Sequence, residues 1–108
     1  MYKRQIDTFR LAIEEDGSNR EAWVEIASIQ QEEFEDPELA LETLKEGWKS
    51  CEWEMIDDVI FIHRMAELEL DHFENRVRAR ELYTKIIERY PENEYELKRA
   101  ERSLVKIG

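Results

Sequence analysis

The sequence predicts an all-α protein of antiparallel helical hairpins, about six helices within a single domain, residues 1–108. Three observations predict it. Only 3 glycines and 2 prolines interrupt a chain that is 40% charged and 42% apolar, so helix formers dominate and turn residues are scarce. The chain also lies on itself when shifted from Ala27 to Ala66: Ala27, Phe34, Glu35, Ala40 and Glu42 recur as Ala66, Phe73, Glu74, Ala79 and Glu81. Around these identities the apolar residues recur at helical spacing and not in the alternation of strands.

The first helix spans residues 2–15. Repeat one spans 19–50. Ser18-Asn-Arg-Glu21 has the Ser-x-x-Glu form of a capping box, which starts a helix near Asn19 with Trp23, Ile26, Ala27 and Gln30 on one face. Asp36-Pro37 restarts the chain, because Asp caps well and Pro at the first helical position loses no needed donor. The helix that follows carries Ala40, Leu41, Leu44 and Trp48 along one stripe.

Repeat two spans 57–90. Asp57 takes the capping place, and Ile56 with Phe61 has the spacing of a hydrophobic staple around it. Ile62, Met65, Ala66 and Leu70 mark its first helix. Asn75 caps the second, which bears Ala79, Leu82, Tyr83, Ile86, Ile87 and Tyr90 before Pro91. The paired alanines allow close antiparallel packing. Trp23, Ala27, Ala40, Trp48, Ala66, Ala79 and Tyr83 are therefore the expected buried set. A C-terminal capping helix, 93–107, turns Leu97, Ala100, Leu104 and Ile107 inward. Glu101 stands where Ala27 and Ala66 stand, so no further partner helix is expected on it.

The net charge of −11 is unevenly placed. Residues 1–15 hold three acids and three bases, residues 16–58 hold 14 acids against 3 bases, and residues 59–108 hold ten of each. An acidic middle disfavours direct nucleic-acid binding, which needs a basic footprint, and reads either as a solvated surface that aids solubility or as a patch that steers a protein or peptide partner with a basic segment. The longest apolar stretches, such as Val59 to Ile62, fall far short of the ~20 residues that cross a bilayer. The N-terminus has no signal-peptide core, and the lone Cys51 cannot form an internal disulfide, so a cytoplasmic location is expected.

Catalytic readings fail on the residues present. Glu69-x-x-His72 has a carboxylate–histidine spacing used in di-iron bundles. The only other histidine, His63, has Ile60 three residues before it, which leaves no second pair and no metal site. Cys51 has Ser50, Glu52, Trp53 and Glu54 around it and no base. Three scattered glycines exclude a phosphate loop. No enzyme activity and no cofactor are expected.

Glu21-Ala22-Trp23 at a helix start, Asp16-Gly17-Ser18-Asn19 as a turn, and Ala79-Arg-Glu-Leu-Tyr-Thr-Lys-Ile-Ile-Glu-Arg-Tyr-Pro91-Glu-Asn93 as a helix and turn resemble the tetratricopeptide repeats (TPR) over residues 4–107. The unit is longer than that family's, and Glu52 replaces its expected proline. The resemblance implies a right-handed superhelical stack, a non-catalytic protein-interaction module, and a concave groove lined by the first helix of each unit. It places Val24, Ser28, Gln31 and Glu32, then His63, Glu67, Leu70 and Asp71, then Lys98 and Arg102 in that groove. Val24, Ser28, His63 and Glu67 stand where some members carry a lysine–asparagine carboxylate clamp, so that clamp is not expected. His63, between the acidic and basic zones, would titrate near the ordinary ~6.5. Trp53 has no slot in the repeat and is expected at the inter-repeat seam or in a contact patch, where tryptophan often anchors binding. Trp23, Glu69, Ala79-Arg80 and Pro91 also resemble the half-a-TPR scaffolds of RNA processing, without their aromatic at Ile26 and Met65. A fragment of a longer helical solenoid is the remaining alternative.

Overall fold

Residues 1–108 are all described in a computed structural model, and they form six helices and no strand. These are α1 (Tyr2–Glu15), α2 (Arg20–Glu32), α3 (Pro37–Lys49), α4 (Met55–Phe73), α5 (Arg76–Arg89) and α6 (Glu94–Ile107). The chain divides into two compact units, Met1–Asp57 and Asp58–Gly108.

One cap chemistry starts four of the helices. The side-chain oxygens of Asn19, Asp36, Asn75 and Asn93 accept from the backbone N–H of Ala22, Leu39, Arg78 and Glu96 at 3.0–3.1 Å. Each bond satisfies a donor that the helix cannot, worth ~1 kcal/mol. The cap of α2 is thus Asn19 and not Ser18, whose hydroxyl instead donates to Asp16 Oδ1. Asp57 is not a cap either. α4 begins two residues before it, and its carboxylate accepts from Arg20 Nε at 3.0 Å. Ile56, on the first turn of α4, is 65% exposed, so the expected staple with Phe61 is absent.

In the first unit α2 packs against both α1 and α3. Its core holds Ile6, Trp23, Ile26, Ala27, Ala40, Leu41 and Leu44. Thr43 donates to Gln30 across α2 and α3 at 2.6 Å, a buried bond that satisfies two polar groups on inward faces. Gln30 meets Thr43 at one end, and Trp23 meets Gly47 at the other, so the two helices run antiparallel. Trp48, expected inward, is half-buried, and Gly47 takes the inward slot.

In the second unit α5 packs against α6. Asp58 near the start of α4 accepts from Arg89 and Tyr90 at the end of α5, and the His63 ring lies 5.5 Å from that of Tyr83, so these two helices also run antiparallel. Phe61, Ile62, Met65, Ala66, Ala79, Leu82 and Ile86 form the centre of this core.

Both hairpins turn through one backbone device. Glu35 (φ 51°) and Glu74 (φ 50°) are the only non-glycine residues in the left-handed region. After them the N–H of Asp36 and Asn75 reaches back to the carbonyls of Gln30 and Glu69, each at 2.9 Å. The recurrence of Phe34-Glu35 as Phe73-Glu74 is therefore a repeat of turn geometry.

Candidate interaction surface

The outward face of α2 carries Ser28, Gln31 and Glu32 at positions i, i+3 and i+4, one patch on a helix. Glu32 is exposed, and Ser28 and Gln31 are half-buried. The same three slots of α4 hold Glu67, Leu70 and Asp71, the two acids exposed and Leu70 half-buried. On α6, Lys98 and Arg102 are exposed, and Lys98 pairs with Glu94 at 3.0 Å one turn away. Such an exposed pair adds little stability and leaves both groups open to a ligand.

Val24 and His63 do not belong to an open surface. Both are 5% exposed, which corrects their expected place in a groove. Each lies one turn before Ser28 or Glu67 on the same side of its helix, so neighbouring side chains bury it and helical phase does not; for His63 these include Tyr83 and Glu96. Trp53 is half-buried, with its indole N–H donating to the carbonyls of Gly47 and Trp48 at 3.0 and 3.2 Å. These are carbonyls of the last turn of α3, and the Gly47 carbonyl also accepts from the Ser50 backbone N–H and Oγ, at 3.2 and 2.7 Å. The tryptophan closes its own helix end, a role that periodicity alone does not assign.

The second unit also buries a polar cluster of its own. His63 Nε2 and Glu96 Oε1 lie 3.8 Å apart, beyond a hydrogen bond, and neither atom has a hydrogen-bond partner. Arg99 approaches Glu96 at 3.6 Å. Burial first, and the Arg99 charge second, push the His63 imidazole down from its usual 6.5 to about 4, so the ring is neutral near pH 7 and the expected titration near 6.5 is corrected. Burial is also the main reason that the Tyr83 phenol beside it is raised.

Asp58, by contrast, is a buried acid with strong partners. Arg89 Nη1 donates to both carboxylate oxygens at 2.9 and 3.0 Å, and the Tyr90 hydroxyl donates to Oδ2. Burial, then the neighbouring carboxylate, raise the Tyr90 phenol to about 12. The buried polar pairs share no sequence spacing, which is why the chain alone does not reveal them.

No three His, Cys, Asp or Glu side chains converge as metal ligands would, and no helix is long and apolar enough to cross a membrane. Comparison of the chain with protein-family models, with curated proteins and with solved structures gives no match.

Proposed function

We propose that the chain is a non-catalytic, TPR-like protein-interaction module working in the cytoplasm, which holds a peptide or partner segment with basic residues against the outward faces of α2 and α4. The observation that carries this reading is the repeated patch. Ser28, Gln31 and Glu32 on one unit and Glu67, Leu70 and Asp71 on the other occupy the same slots of two hairpins, and none is buried. Right-handed superhelical stacking of the hairpins is part of the proposal and comes from the resemblance of the sequence. Lys98 and Arg102 would receive the acidic end of such a segment.

The test offers total RNA and a set of basic, neutral and acidic peptides to the immobilised chain at moderate salt. Retention of basic peptides without RNA is the expected result. Retention of RNA without peptides overturns it in favour of an RNA-processing scaffold.

A further inference from the structure

The geometry points to self-association through α1: a second copy of the chain lays its α1 antiparallel along the open face of this one, with Arg4 of each copy opposite Glu15 of the other.

A shallow groove of about 590 Å³ runs along α1, lined by Met1, Arg4, Gln5, Thr8 and Phe9. Helical spacing extends this stripe through Leu11, Ala12 and Glu15 to the end of the helix. Met1 and Leu11 on it are 87% and 60% exposed, and Phe9 and Ala12 are half-buried. Thr8 at its centre already donates its hydroxyl to the Arg4 carbonyl at 3.0 Å, so what it offers a neighbour is a methyl group. Thr8 and Ala12 are small enough to let another helix approach closely.

The occupant is read from charge. α1 has no acid in its first turn and no base in its last. It carries Lys3 and Arg4 at its start and Glu14 and Glu15 at its end, an order that the helix dipole disfavours. Two other helices do the reverse: α3 runs from Glu38 to Lys49, and α6 from Glu94 and Glu96 to Lys106. Lys3, Arg4, Glu14 and Glu15 are exposed, and none is in an ion pair. Laid antiparallel, two α1 helices put each basic start beside the other's acidic end and oppose the two dipoles. A parallel pair would set like charges together. Residues 1–15 are also the one neutral stretch of the first unit, three acids against three bases, so they are where two acidic chains meet with least repulsion.

The arrangement is two-fold and closes at a dimer. A contact along ~21 Å of helix is smaller than the ~1,200 Å² of stable complexes, so dissociation lies on the order of 100 μM to 1 mM.

Sedimentation equilibrium of the full chain, from ~10 μM to ~1 mM, is expected to show the mass rising from 13.1 kDa toward twice that value. Arg4→Glu alone and Glu15→Arg alone should each weaken association roughly tenfold, because both pairs become like-charged. Mixing the two variants should restore it. In the mixed dimer the acid introduced by R4E meets the base introduced by E15R at one end, and the native pair of Arg4 with Glu15 forms at the other. Circular dichroism of each variant checks that these exposed changes leave the helices intact. A chain that stays at 13.1 kDa throughout overturns the proposal and leaves the face to a different protein. Failure of the mixture to associate better than either variant overturns it too.

Discussion

The Trp23 indole lies so close against Gly47 that a Cβ there would stand 2.7 Å from its Cγ and Cδ2. In the second unit the matching residues are Ile62 and Ile86, both fully buried. A large residue facing none has been replaced by two of middling size, so each hairpin keeps the filled volume and not the residues. Gly47→Ala gains ~1 kcal/mol of helix propensity but forces the stiff, near end of an indole to move. Overpacking of this kind costs roughly 1–3 kcal/mol, so a net loss is expected on thermal or denaturant unfolding. Trp23→Ile with Gly47→Ile imports the second unit's pair and should be better than the sum of the two single changes by ~1 kcal/mol or more. Additive effects would contradict the volume exchange.

The left-handed turn residues give a prediction of opposite sign. An L-residue pays about 1–2 kcal/mol in this region, whereas glycine loses only its extra chain freedom, ~0.5–1 kcal/mol. Glu35→Gly and Glu74→Gly should therefore each raise the melting temperature, by about 2–8 °C for a domain of this size. A fall in either would mean that the glutamate side chain stabilises the turn.

Asp58 tests the staple between the start of α4 and the end of α5. Asp58→Ala leaves the Tyr90 hydroxyl and an Arg89 charge without their acceptor. Arg89 is 44% exposed on its side chain and can turn to water, so the loss should be ~1–3 kcal/mol and not the larger penalty of a stranded buried charge. Asp58→Asn should lower the Tyr90 phenol from about 12 only part of the way toward 10, since burial is the larger cause. Spectrophotometric titration reads this directly, and an unchanged tyrosine would contradict the contact.

His63 sets an acid limit on the second unit. Its native imidazole titrates at about 4, whereas an unfolded histidine binds a proton below 6.5. The unfolded chain therefore takes up more protons in that window, and stability falls as pH drops from 6.5 toward 4, by on the order of 2 kcal/mol. Tyr83 on α5 and Glu96 and Arg99 on α6 face the ring. Glu96 would welcome the proton and Arg99 would oppose it, and burial decides. Unfolding curves across this range should lose part of their slope in His63→Gln; identical slopes would contradict the assignment.

Much of the fold was legible because capping chemistry is local. Asp36-Pro37 and Asn75 mark helix starts through bonds made within three residues, and the structure has both. Ser18 and Asp57 misled because neighbouring Asn19 offered a better cap and because α4 starts early, at Met55. The burial of Gly47 in place of Trp48 depends on the indole across the hairpin, which no spacing along α3 reveals. For the candidate surface, the family resemblance named slots on α2, α4 and α6, and Ser28, Gln31, Glu32, Glu67, Leu70, Asp71, Lys98 and Arg102 among them are exposed or half-buried. It did not find that Val24 and His63 are buried, because a helical position half a face from the core reads the same from sequence whether or not a neighbouring element covers it.

The central claim, that the open acidic slots recruit a basic segment, is tested most directly by association rates. The measurement uses the basic peptide retained best by the wild-type chain and compares it with the Glu32→Lys, Asp71→Lys double variant across salt concentrations. Exposed charges are screened over ~8–10 Å at physiological salt, so the wild-type rate should fall as salt rises. The variant should associate more slowly at low salt with unchanged melting, because both positions are exposed. Salt-independent wild-type rates, or equal rates for the two chains, would contradict the account.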